Sequence, residues 1–275
     1  MTYSHRFAKH LTAVMTLAAG ALAVVPAHAH EFWLEPTDYS VAVGEEIIAD
    51  LKNGEAFKGG KYPFIDEYFT TFDVITRKGA KPVPGRRGDY PALTMKAETG
   101  GLHVFAYAST ANDLAYSKFE KFESFVTGKD MAWVLDAHKE RGLPTEKVRE
   151  DYFRYAKSLV KVGSGAGRDT LVGFPIELVA ELNPYTTDAD PRFRLYRDRK
   201  PMADFEVQVW NIAPETGEVT ESKYRTDATG RVTIPRGEGG EFLLNAVQIV
   251  EPDAAQTARG VDWISIWGTT TYFIE

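Results

Sequence analysis

Gly101-Leu102-His103-Val104-Phe105-Ala106-Tyr107 decides the fold class, because its side chains alternate without interruption. A period of two sets Leu102, Val104 and Ala106 on one face of a strand and His103, Phe105 and Tyr107 on the other. Both faces carry apolar groups, so the strand is expected to be buried on both sides.

Toward the N-terminus the block Leu93 to Thr110 extends this pattern, and Tyr39 to Val43, Glu46 to Leu51 and Phe69 to Arg77 read as further short strands. Gly44-Glu45, Asn53-Gly54 and Lys78-Gly79 separate them as turns. Toward the C-terminus the period changes. Ser117-Lys118-Phe119-Glu120 has the form of a capping box, and Phe119, Phe122 and Val126 begin a helical stripe. Met131, Val134, Leu135 and His138 repeat at helical spacing up to Arg141-Gly142, and a further helix is expected from Glu146 to about Lys161, where Val148, Tyr152, Tyr155, Ala156 and Leu159 line one side.

From Leu171 the pattern is β again. Leu178 to Leu182, Phe193 to Arg197, Glu206 to Trp210, Val219 to Arg225, Gly230 to Ile234, Glu241 to Val250 and Trp263 to Ile274 are expected strands, with turn signals at regular spacing. The expected fold is therefore mainly β. Two β-sandwich domains, immunoglobulin-like or prealbumin-like, span residues 30–116 and 164–275, with a helical insert at 117–163 between them.

Residues 1–29 read as a signal peptide: Arg6 and Lys9 form a positive start, Leu11 to Val25 an uncharged apolar centre, and Ala27-His28-Ala29 a peptidase site. Cleavage there makes His30 the first residue of His30-Glu31-Phe32-Trp33-Leu34-Glu35-Pro36. The remaining chain, roughly 250 residues, is ample for one large or two medium β domains. It has no cysteine, so neither disulfides nor thiolate metal sites are available to it. Loss of Arg6 and Lys9 moves the net charge from −7 to −9, and no basic stripe or basic amphipathic helix argues for nucleic acid or direct lipid binding. A soluble periplasmic protein is expected.

The mature chain has three histidines, His30, His103 and His138. His30 is distinctive because its α-amine and imidazole, with ordinary pKa values of about 7.7 to 8.0 and about 6.5, form one chelate for a divalent ion. A further imidazole would complete a three-nitrogen brace of the kind that suits copper and also accepts nickel. His103 is the expected third donor, and Glu31, Glu35 or Glu55 the expected oxygen donors. His138 ends a helix and is read as a partner of that helix terminus. Trp263 and Trp267 are read as core. Ser164-Gly165-Ala166-Gly167 is a loop without the context of a phosphate cradle, and neither Ser158 nor Ser164 sits in a nucleophile elbow.

Several segments together resemble an exported bacterial family of unknown function, once described as the NikM-like component of nickel and cobalt uptake. They are Ala-His-Ala-His-Glu-Phe-Trp-Leu-Glu-Pro at 27–36, Phe119 to Phe125, Tyr152 to Val162, Asn183-Pro184-Tyr185, and Lys200-Pro201 through Thr226-Asp227-x-x-Gly230. The resemblance spans the mature chain and implies an accessory protein of transition-metal uptake with a sandwich-type C-terminal domain and a ligand at His30. Members that look most nickel-related carry Gly-His-x-Phe where this chain has Gly54-Glu55-Ala56-Phe57.

The expected function is non-enzymatic: a metal-binding accessory for nickel or cobalt, or copper or iron, uptake. His30 and His103 would hold a divalent Ni, Co or Cu ion and release it to a membrane metal transporter or a TonB-linked uptake system. A metal-free β-sandwich interaction module of a membrane transport complex is the alternative, and a copper oxidase using the brace is a third.

Overall fold

The computed structural model describes residues 30–275; the signal-peptide reading of residues 1–29 lies outside the described residues. Before the first helix come β1 (Glu31–Pro36), β2 (Ser40–Val41), β3 (Glu46–Glu55), β4 (Lys58–Tyr62), β5 (Phe69–Thr76), β6 (Gly79–Pro82), β7 (Leu93–Lys96), β8 (Gly101–Ser109) and β9 (Asn112–Ala115). Helices α1 (Phe119–Gly128) and α2 (Trp133–Glu140) follow, then the long strand β10 (Arg149–Val162). Beyond it lie β11 (Ile176–Ala180), β12 (Arg192–Arg197), β13 (Lys200–Pro201), β14 (Glu206–Ile212), β15 (Val219–Arg225) and β16 (Arg231–Thr233). The chain closes with β17 (Gly240–Val250), the short α3 (Ala254–Ala258) and β18 (Trp263–Ile274).

The protein is mainly β. A ten-stranded sheet runs in the order β15-β14-β17-β18-β10-β8-β5-β6, with β2 and β9 also paired to β10. It joins strands from both halves of the chain, and β10 and β18 meet in parallel at its centre. A four-stranded sheet (β1-β3-β4, with β7 on β3) and another (β11-β12-β13, with β16 on β12) complete the set.

The alternation in β8 explains the layering. Every residue of β8 is buried. Leu102 and Val104 pack with Ile176, Leu178, Phe193 and Leu195 of the β11–β12 sheet, whereas Phe105 and Tyr107 pack with Phe32, Leu34 and Leu51 of the β1–β3 sheet. Each small sheet thus covers one face of the large one.

The helix expected from Glu146 to about Lys161 is instead β10. Its period is two. Ala156, Val160 and Val162 join the β1–β3 side, while Leu159 joins the other, with Phe153 and Tyr155 packed against it. Arg154, Lys157 and Ser158 interrupt both apolar rows because they serve as polar partners inside the sheet, and that interruption made a helical stripe look better than alternation. The capping box is also absent: α1 starts from Lys118, without a side-chain cap.

Helices α1 and α2 cover β17 and β18. Phe122 stacks on Trp263 and Phe125 on Trp267, with ring centroids 6.5 and 5.6 Å apart, so both tryptophans are core. Beneath them the fully buried Glu150 carboxylate accepts a 2.7 Å hydrogen bond from Tyr116 and another from Ser265. Burial raises its pKa from 4.5 to about 7, although these hydrogen bonds oppose the rise. A raised folded-state pKa contributes stability that is fully present below 4.5 and lost as the pH climbs through about 7. Glu150→Gln is therefore expected to remove about 2 kcal/mol of the stability difference between about pH 5 and about pH 8, read from urea unfolding at both pH values. A residual slope is expected from Glu241, also raised to about 7 by burial.

Candidate functional site

Strand β1 is clamped from two directions. It pairs with β3 from Glu31↔Gly54 to Pro36↔Ala49. The Thr269 and Thr271 hydroxyls of β18 donate to the Phe32 and Leu34 carbonyls at 2.6 and 2.7 Å. Trp33 is fully buried, edge-on to Phe57. His30 immediately precedes this strand and is half-buried. Its carbonyl accepts long hydrogen bonds from Asn53 Nδ2 and Arg154 Nη2, each 3.4 Å. Position 30 is thus a docked strand start.

The three carboxylates expected near His30 have different employments. Glu31 is buried, receives Lys129 Nζ at 2.6 Å and Asn245 Nδ2 at 3.3 Å, and serves a structural ion pair. Lys129 in turn lies 5.4 Å from the ring centroids of both Trp210 and Trp267. Glu35 is held by Lys52 at 2.8 Å and by the Trp33 indole N–H at 2.8 Å. Glu55 is exposed, and among the described residues no ion pair engages it. Extending the β1–β3 register by one residue sets Glu55 across from His30, on the same face of the ladder.

The turn that carries Glu55 is tight. Glu55 pairs with Lys58, and Ala56 and Phe57 between them have φ of 49° and 62°. That geometry belongs to a two-residue hairpin turn normally given to Gly or Asn. Burial of Phe57 against Trp33 holds it, and Gly54 is required because a Cβ there would lie 2.0 Å from the Lys58 carbonyl oxygen.

His103 does not join His30. It lies opposite Val160 on β10, whereas Arg154 is the β10 residue beside His30. Six residues of strand separate those positions, roughly 20 Å at about 3.3 Å per residue. His103 is buried with Nδ1 3.3 Å from the Gly101 carbonyl, and desolvation lowers its pKa. His138 is placed elsewhere: its Nε2 is 3.1 Å from the Pro144 carbonyl and its Nδ1 accepts from Trp263 at 3.0 Å. The expected pairing of His30 with His103 on one ion therefore does not form within one chain, because register places them at different heights along β10. Among the described residues no three His, Asp or Glu side chains converge as a ligand set.

A feature that sequence reasoning missed adjoins His30. Phe32, on the same face of β1, lines a cavity of about 260 Å³ together with Tyr62, Tyr68, Tyr107, Tyr152 and Arg154. The Arg154 guanidinium carbon lies 4.6 Å from the Tyr152 ring centroid and 5.7 Å from that of Phe32. The signal was present: Tyr152-Phe153-Arg154-Tyr155, read with period two, sets Tyr152 and Arg154 on one face. The helical reading hid it.

Residues 27–250 match the model of a family described as a domain of unknown function, DUF4198. No curated protein matches the chain.

Proposed function

The chain belongs to the DUF4198 family, and from that premise we propose that it is a periplasmic transition-metal-binding accessory protein of nickel or cobalt uptake. Export and cleavage after Ala29 are part of the proposal, because they create the α-amine. The captured ion is cargo, passed to a membrane metal transporter or a TonB-linked uptake system. The protein performs binding and release without bond chemistry.

The observation that carries this reading is the extended β1–β3 register, which sets the exposed Glu55 opposite His30. Amine, imidazole and carboxylate make an N,N,O donor set, which suits nickel, cobalt or copper better than magnesium or calcium. Glu31 and Glu35 are committed to lysines, so Glu55 is the acidic group left for the ion. Position 55 is where this chain departs from the nickel-related sequences it resembles, and Glu55 would supply an oxygen donor there in place of their imidazole. Gly54 and Phe57 are demanded by the turn and by Trp33, whereas position 55 is exposed, and there the resembling nickel-related sequences carry histidine. His103 is not needed in this set.

Calorimetric titration of nickel into chain beginning at His30 tests the reading. One ion per chain is expected, with affinity falling about a hundredfold in His30→Ala and several-fold in Glu55→Gln, and rising in Glu55→His. Binding unchanged by His30→Ala overturns it.

A further inference from the structure

We propose that the cavity beside β1 binds a small organic acid with an aromatic body, its carboxylate held by Arg154. The inference stands apart from metal capture, since it uses neither the α-amine nor Glu55.

Arg154 is the reason. A guanidinium has five N–H donors in a fork that matches a carboxylate. Here Nη2 makes a 3.4 Å bond to the His30 carbonyl, and Nε is buried with no partner. Among the described residues no carboxylate forms an ion pair with it; Glu31 and Glu150, whose charges act on it, are engaged by Lys129 and by Tyr116 and Ser265. Burial lowers its hold on its proton, outweighing the opposing influence of the surrounding tyrosines and of Glu31. An arginine left this way is costly unless an anion arrives.

The cavity wall specifies the rest of the ligand. Phe32 and Tyr107 stand with ring centroids 4.8 Å apart, and Tyr62 meets Phe32 edge-on at 6.5 Å. Tyr152 backs the guanidinium, which leaves the fork open to a planar anion. Tyr68, which also lines the cavity, is 55% exposed and offers a ring edge to a bound ligand. About 260 Å³ is room for a single aromatic ring with a carboxylate.

The test is calorimetric titration of metal-free protein, in chelator, with benzoate, its neutral isostere benzamide, acetate and inorganic phosphate. Saturable 1:1 benzoate binding is expected, at least tenfold tighter than that of the other three. Arg154→Gln, with its circular dichroism unchanged, is expected to lose at least tenfold in benzoate affinity. Should that variant not fold, Tyr68→Ala, at an exposed position of the lining, decides: several-fold weaker benzoate binding supports the proposal, and unaltered binding overturns it. Benzamide binding as tightly as benzoate overturns the role of Arg154. Acetate or phosphate binding as tightly as benzoate overturns the aromatic body. No benzoate binding overturns the proposal as a whole, and none of these outcomes bears on nickel.

Discussion

Lys157→Met is expected to destabilise the protein by about 3–5 kcal/mol, the cost of stranding buried charge. Lys157 Nζ is fully buried between the large sheet and the β11–β12 sheet, 2.7 Å from Asp169 and 3.2 Å from Glu177. The Leu178 carbonyl accepts from it at 3.3 Å. Both carboxylates are themselves buried. Asp169 also accepts the Ala180 and Thr170 amides, and Glu177 those of Val172 and Gly173. These amides order the loop before β11 but cannot neutralise two charges. Burial already pushes the Asp169 carboxyl upward against the pull of Lys157. Without the lysine that rise is expected to grow. A raised carboxyl pKa gives stability at low pH that disappears as pH rises, so the deficit of the variant is expected to be largest at neutral pH and to shrink toward about pH 4. Urea unfolding across that range reads both the size and the slope. A deficit that grows on acidification contradicts this account.

Trp33→Ala is expected to cost a further large amount, about 3–5 kcal/mol, through the void left by a fully buried indole. Phe57 loses its edge-on partner, Lys52 the ring 5.6 Å from its ammonium, and Glu35 a 2.8 Å hydrogen bond. The effect should not be confined to stability. Phe57 holds the strained turn, and the turn carries Glu55, so the variant is also expected to exchange β1 and β3 amide protons faster than those of β8. Hydrogen exchange under native conditions measures this. Equal protection of β1 and β8 would mean that β1 is anchored by Thr269 and Thr271 without help from Trp33.

The fold was legible where each row of side chains kept one character. In β8 the alternation is unbroken and in β18 aromatic and β-branched residues dominate, and both strands lie where their residues predict. In β10 it was not legible, because Arg154, Lys157 and Ser158 sit in rows that a hydrophobic pattern treats as exposed. Their partners come from distant chain: Asp169, Glu177, Thr271 and the aromatic cavity. Buried polar residues are decided by tertiary partners, so local periodicity misreads them. Local periodicity therefore predicts a helix for the strand at the centre of the large sheet.

The site divides the same way. His30 and Glu55 are visible as candidates from position and type alone. That they oppose each other, while His103 lies roughly 20 Å along the strand direction, is a matter of register, which needs the ladder. Glu31 and Glu35 look equal to Glu55 in the sequence and are set apart by their burial and by the lysines beside them. Arg154 has one local mark, its period-two neighbour Tyr152, but its meaning comes from an ion pair it does not make.

The central claim is that processing creates the metal site by freeing the amine of His30. It is tested most directly by titrating nickel into two forms of the chain beginning at His30, one native and one acetylated at the α-amine, with all side chains unmodified. The native form is expected to bind one ion about a hundredfold more tightly than the acetylated form. Equal affinity in the two forms would contradict the account.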